Sequence, residues 1–127
     1  MGRSGVTEMA RVLVVDDSPE IRELLRAVLE RGGHEVREAS SYHDAVFSIL
    51  RGNYDVVIAD GHFPMSDGER VGPLGPELLR RISAYCRIRI LHSADDTLNS
   101  NMREGGIKVL PKRSSMAEIL VAVEGRS

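Results

Sequence analysis

The sequence predicts an α/β domain: a doubly wound parallel sheet of five strands with helices packed on both faces. Short runs rich in Val, Ile and Leu alternate five times with segments whose apolar residues recur at helical spacing. One such segment separates each strand from the next, which is the crossover that parallel neighbours require. Each strand also stops at polar residues, so chemistry-bearing side chains collect at the carboxyl edge of the sheet, where open α/β folds place their sites.

The elements follow in order. Residues 1–10 are polar, rich in Gly and Ser and without periodicity, and read as a disordered lead-in. Arg11 to Val15 is a β-branched apolar run, expected as a strand buried on both faces and ending at Asp16-Asp17. Ser18 offers an N-cap and Pro19 suits the first helical position; Ile21, Leu24, Leu25, Val28 and Leu29 then form one face until Gly32-Gly33. His34 to Ala39 reads as a more polar edge strand. Ser40-Ser41 caps a second helix with Ala45, Val46, Ile49 and Leu50 inward, ending at Gly52-Asn53.

Tyr54 to Asp60 is the third strand, closed by a carboxylate. Gly61 to Gly75 reads as a long loop, and the third helix starts near Pro76 with Leu78, Leu79 and Ile82 on its face. Arg87 to Leu91 is the fourth strand, leading into His92-Ser93-Ala94. Asp95 to Glu104 is polar and weakly periodic, which predicts a short helix. Gly105-Gly106 precede the fifth strand, Ile107 to Leu110, which meets Pro111-Lys112. A last helix runs from about Ser115, with Met116, Ile119, Leu120 and Val123 inward.

Composition narrows the function classes. The chain has 127 residues, 42% of them apolar and 28% charged, with a net charge of −2, which suits one domain with a real core and argues against nucleic acid as a partner. No apolar stretch reaches the roughly 20 residues that span a bilayer, and MGRSGVTEMA lacks the apolar core of a signal peptide. A cytoplasmic location without membrane insertion is expected. Cys86 stands alone and is expected as a small buried apolar residue. Lysine is scarce, two against fifteen arginines, which singles out Lys108 and Lys112.

The strand ends bring Asp16, Asp17, Asp60, Ser93 and Lys112 to one edge. A pair of carboxylates about 4 Å apart repels by on the order of 4 kcal/mol at an effective dielectric of 20, so three of them require a positive charge. A hard divalent cation with oxygen ligands answers that need, Mg²⁺ above all, with Lys112 as a second and movable charge. The set suits phosphoryl transfer onto a carboxylate, with Asp60 as nucleophile and Ser93 donating to the product. No rival constellation stands out. His34, His43, His62 and His92 have no zinc-ligand spacing, a glycine-rich phosphate loop is absent, and no DxD pair follows a strand.

VLVVDDSPEIRELL, YDVVIADGHFPMSDG, LHSA and GGIKVLPK, in that order, resemble the receiver domain of two-component response regulators over residues 11–125. The resemblance implies a flavodoxin-like, chemotaxis-type fold with strand order 2-1-3-4-5. It implies Asp60 as the phosphorylation site, Asp17 as a direct Mg²⁺ ligand, Asp16 as a ligand through water, and the backbone carbonyl of His62 in the metal shell. Ser93 takes the switch-hydroxyl position and Lys112 the basic one. The implied partners are a histidine kinase or phosphotransfer protein and an unidentified effector protein. The expected function is that of a stand-alone receiver and not an enzyme, its only chemistry being self-catalysed, Mg²⁺-dependent phosphorylation and dephosphorylation. A phosphate sink or relay, or a module that signals without phosphorylation, are the rivals. Oligomeric state is left open, a dimer on phosphorylation being one outcome.

The chain departs from the family pattern in places. Val109 stands where Tyr or Phe is usual, so no rotating aromatic ring can report the switch. Arg113 replaces the proline after the lysine, and Pro111 precedes it instead. Glu69 to Gly75 reads as an insertion, either a surface loop or a partner contact or lid near the site, and the fourth helix is expected to be truncated or irregular. His62 and Asp95, each two residues beyond an acceptor or switch position, are expected to face each other and pair when His62 is protonated, shielding the phosphoryl group from water.

Overall fold

Strand β1 (Arg11–Val15) owes its unbroken apolar run to its position in the middle of the molecule: Val12 to Val15 have no exposed surface. The computed structural model describes residues 9–102 and 105–125. After β1 come α1 (Pro19–Arg31), β2 (Glu35–Ala39), α2 (Tyr42–Arg51), β3 (Val56–Ala59), β4 (Phe63–Pro64), β5 (Val71–Gly72) and α3 (Gly75–Arg81). β6 (Ile88–Ser93), α4 (Asp96–Asn101), β7 (Ile107–Pro111) and α5 (Met116–Val123) complete the order. Five strands form one parallel sheet, β2-β1-β3-β6-β7, which is the expected order once the two short strands β4 and β5 are set aside.

Alternation along the strands divides the core in two. Leu13, Val15, Val57, Ala59 and Leu91 face Ala45 and Ile49 of α2 and Leu78 and Leu79 of α3. Val12, Val14, Ile58 and Ile90 face Leu25 and Leu29 of α1 and Ile119 and Val123 of α5. Each such aliphatic side chain contributes about 1.5–3 kcal/mol when fully buried, so the two layers dominate stability. Leu24 and Leu50, expected inward, are exposed, because each helix lays a narrower stripe on the sheet than its apolar residues could fill. Cys86 is buried as expected, its thiol donating to the Ile88 carbonyl.

Local capping follows the sequence closely. Ser18 accepts from the Ile21 N–H and Ser41 from the Asp44 N–H, and Ser115 with Glu118 forms a reciprocal capping box on α5. Of the lead-in expected over residues 1–10, positions 1–8 lie outside the described residues, as do Arg103 and Glu104 beyond the fourth helix. Ala10 is already packed: it is buried, and its N–H donates to His34 Nδ1 at 3.0 Å. Since Nδ1 accepts, the ring proton sits on Nε2, which points to Glu124 Oε2 at 3.2 Å. This buried contact fastens the beginning of β1 to the end of α5.

The segment expected as an open loop after Asp60 is folded. Phe63–Pro64 pairs antiparallel with Val71–Gly72, so the presumed insertion returns along the loop as a hairpin. Phe63 is fully buried and anchors it, and Gly68 makes the turn at a positive φ. Three bonds tie the hairpin to the start of α2: the His43 N–H to the Met65 carbonyl, His43 Nδ1 to Ser66 Oγ, and Ser40 Oγ to Asp67. At the far end, the Gly75 N–H donates to the Gly61 carbonyl at 3.1 Å.

Register then sets the edge. Val15 lies opposite both Ala39 and Ala59, Ala59 opposite Leu91, and Ser93 opposite Pro111. Asp16, Asp60 and Lys112 are the residues that follow these strands, and Ser93 is the last residue of β6, two residues further along that strand than expected.

A Cβ on Gly75 would collide with the Asp60 carbonyl oxygen and with Gly61 Cα, both backbone atoms that cannot swing aside. Gly75→Ala is therefore expected to destabilise the fold by about 1–3 kcal/mol. Gly105→Ala, where the new methyl meets nothing within 4 Å, is expected to stay within about 0.5 kcal/mol of the parent chain. Chemical denaturation of the two variants checks the contrast.

Candidate functional site

The site is assembled from backbone first. The Asp60 N–H donates to the Val15 carbonyl at 2.8 Å and the Asp16 N–H to the Ala39 carbonyl at 3.1 Å, extending the parallel ladder one residue past each strand. Asp16 is 2% exposed, Asp17 is exposed, and Asp60 lies between. Carboxylate oxygens of all three lie within 4.8 Å of one another. Lys112 Nζ donates to Asp16 Oδ2 at 3.0 Å and stands 3.6 Å from Asp60 Oδ1. Four of the five residues singled out by the strand ends are thus brought to one place.

Two neighbours that the strand-end reading missed shape the site. Arg22 of α1 donates through Nη1 to the Asp16 carbonyl at 2.7 Å and through Nε to Glu38, so its guanidinium braces the first acidic turn from behind. Gly61 lies between Asp60 and the Ser93 hydroxyl. A Cβ there would stand 2.5 Å from Ser93 Oγ and 2.6 Å from Leu98 Cδ2, so any side chain at this position would displace both. The Gly61 N–H also donates to Asp60 Oδ1 at 2.7 Å.

Ser93 is buried and held at both ends. Its Oγ accepts from the Asp95 N–H at 3.1 Å, leaving the hydroxyl proton free to be donated. Its carbonyl accepts from the Lys112 N–H and from Asn99 Nδ2, each at 3.0 Å. Asp95 caps α4 by accepting from the Leu98 N–H, and its other oxygen meets His62 Nε2 at 2.8 Å. The pairing expected from sequence spacing is present, and it bridges the loops that follow β3 and β6. The Leu98 N–H, with His62 second, holds the Asp95 carboxyl below its ordinary range.

One ammonium faces three carboxylates, and Asp60 is both partly buried and close to the Asp16 charge. Burial first, and the Asp16 charge second, push Asp60 up to about 6, with Lys112 and the Gly61 and His62 N–H groups opposing. His92, behind Ser93 on the strand, is driven down to about 4 by burial and by the Lys112 charge. A crowded, negatively imbalanced set of carboxylate oxygens matches the requirements of a hard divalent cation.

Comparison with known proteins agrees with this geometry. A family model described as the response regulator receiver domain matches residues 12–124. A response regulator receiver protein of Anaeromyxobacter sp. (strain Fw109-5) is 33% identical over 114 residues, 88% of this chain and 46% of that protein. The transcriptional regulatory protein ResD of Bacillus subtilis is 40% identical over 65 residues, 51% of this chain and 27% of that protein. The chain therefore spans less than half the length of these curated relatives. The response regulator TrrA of Thermotoga maritima, crystallised in complex with Mg²⁺-BeF, superposes with a TM-score of 0.76 at 30% identity, covering 92% of this chain and 98% of that one.

The Asp60 shift carries a sign. Its pKa is higher folded than unfolded, so the folded state holds the proton more tightly; the stability this gives is fully present below the ordinary value of 3.8 and is lost as pH rises through about 6. A shift of this size corresponds to about 3 kcal/mol. With chelator present at neutral pH, Asp60→Asn is expected to be more stable than the parent chain by an amount of that order, and the gap is expected to close near about pH 4. Denaturant midpoints across pH check this.

Proposed function

This chain belongs to the response regulator receiver family, and from that premise we propose that it accepts a phosphoryl group on Asp60 and signals through a phosphorylation-dependent protein contact. The observation that carries the reading is the convergence on one carboxylate. Asp60 has Asp16 and Asp17 within 4.8 Å, Lys112 Nζ at 3.6 Å, and only the side-chain-free Gly61 between it and the Ser93 hydroxyl.

In the proposed reaction an Asp60 oxygen attacks the phosphorus of a phosphohistidine on a histidine kinase or phosphotransfer protein. The P–O bond forms as the P–N bond breaks, and the leaving imidazole takes up a proton from solvent. Asp16, Asp17 and Asp60, with the His62 backbone carbonyl, would hold Mg²⁺, which when bound neutralises charge on the phosphoryl oxygens. Lys112 is poised to leave Asp16 for the new phosphoryl group, and Ser93 to donate its free hydroxyl proton to it. Gly61 gives Ser93 the room to make that approach. Hydrolysis of the acyl phosphate resets the protein, so it turns over only its own modification and acts on no separate substrate.

The output is read by an effector protein that contacts the rearranged loops. The His62–Asp95 pair bridges the two loops beside the acceptor and serves as a cover against water.

Acetyl phosphate with Mg²⁺ is expected to add one phosphoryl group by intact mass, and the label is expected to vanish in Asp60→Asn or with chelator. Labelling that persists in Asp60→Asn overturns the assignment, and a parent chain that takes no label favours a module that signals without phosphorylation. Removing the cover in His62→Ala is expected to shorten the phosphoryl lifetime by about threefold or more, read from the decay of the labelled mass. Lys112→Arg keeps the charge but replaces a compact, flexible ammonium by a planar fork, and is expected to accept label while failing to pass the signal to its partner.

A further inference from the structure

Hydrogen-bond satisfaction is uneven across the described residues, and the deficit is concentrated at one strand end. Buried polar atoms in folded proteins nearly always find a partner, and each exception has a physical reason. Among the described residues, the buried side-chain atoms without a partner are His92 Nδ1 and Nε2 and Asn99 Oδ1. His92 is the residue before Ser93, and Asn99 is the side chain that holds the Ser93 carbonyl. The two are 4% and 8% exposed. Among the described residues, the unpartnered buried side-chain atoms therefore lie beside Ser93.

The bonds that do exist converge on a single oxygen. The Ser93 carbonyl takes Asn99 Nδ2 from α4 and the Lys112 N–H from the end of β7, both at 3.0 Å. One backbone group thus joins the switch strand to the short helix and to the neighbouring strand. With six residues, α4 is too short to hold its own position and depends on such tethers. A second tether at this end is the Asp95 N–H, which donates to Ser93 Oγ, beside the Asp95 carboxylate contact with His62. Two of the tethers therefore run through Ser93.

We propose that Asn99 is a positioning residue that couples the Ser93 hydroxyl to helix α4, so that α4 moves when Ser93 turns toward a phosphoryl group on Asp60. The inference rests on the phosphoacceptor reading above. When Ser93 turns, the Asp95 N–H loses its acceptor and the Ser93 carbonyl shifts; Asn99, whose carboxamide is bonded to that carbonyl on one side and has an unused acceptor on the other, carries the shift into the helix. Val109, at the neighbouring strand, has no polar atom with which to follow the hydroxyl, so the polar route from Ser93 runs through α4. The helix face around Asn99 is then the surface that an effector would sense.

The test compares hydrogen exchange over residues 96–101 with and without Mg²⁺ and beryllium fluoride, a phosphoryl mimic, in the parent chain and in Asn99→Leu. Leucine keeps nearly the shape of asparagine while removing both the donor and the orphaned acceptor. Asn99→Ala carries the same expectation should the leucine variant fail to fold. In the parent chain the mimic is expected to change exchange in α4 by about fivefold or more, and in the variants by less than about twofold. Labelling of Asp60 by acetyl phosphate is expected to remain within about twofold of the parent, since Asn99 touches none of the reacting atoms. A merely structural asparagine would alter baseline exchange but leave the response to the mimic intact, and that result overturns the coupling. So does a parent chain that is labelled on Asp60 yet shows no response in α4. A parent chain that takes no label at all overturns the phosphoacceptor reading instead.

Discussion

A single ammonium placed among three carboxylates is the constraint on which the rest of the site depends. Lys112 lies between Asp16 and Asp60, bonded to the first at 3.0 Å and 3.6 Å from the second. It can neutralise one charge of three, and burial together with the Asp16 charge raises the proton affinity of Asp60. Every nearby device serves to tolerate or exploit that excess. Arg22 braces the Asp16 backbone, the Gly61 N–H donates to Asp60, and the parallel ladder fixes the acidic residues one step beyond the strands that deliver them. The charge is held in place by a scaffold whose stability comes from elsewhere, the two apolar layers of the sheet. An ion that neutralises the excess when bound, and a phosphoryl group that adds to it, both act on the same small balance.

Much of this was legible in the sequence because strand ends are legible. β-Branched runs such as Val12 to Val15 and Val56 to Ala59 can be recognised without a structure, and the polar residue after each has only one place to go in a parallel sheet. Asp16, Asp17, Asp60 and Lys112 were located in this way, and so was the facing of His62 and Asp95. The short fourth helix was foreshadowed by its weak periodicity.

What escaped is equally physical. The β4–β5 hairpin has strands of two residues, too short for any alternation to register, although the Asp67-Gly68 turn was a signal for it. Gly61 and Gly75 act through the absence of an atom, which no residue pattern advertises. Asn99 is one polar residue in a polar stretch, and its importance lies in a carbonyl six residues away. Leu24 and Leu50 looked like core because helical spacing reports which residues could be buried, whereas the sheet decides how wide a stripe it covers. Tertiary context made these distinctions.

The account stands on the claim that the acidic cluster is a cation-dependent site and not an incidental crowding of carboxylates. An NMR titration of the full chain with Mg²⁺ tests this most directly. The account predicts a saturable, one-to-one response at the amides of Asp17, Gly61 and His62 that is lost in Asp17→Asn. A response that does not saturate, or that is unchanged by Asp17→Asn, would contradict it.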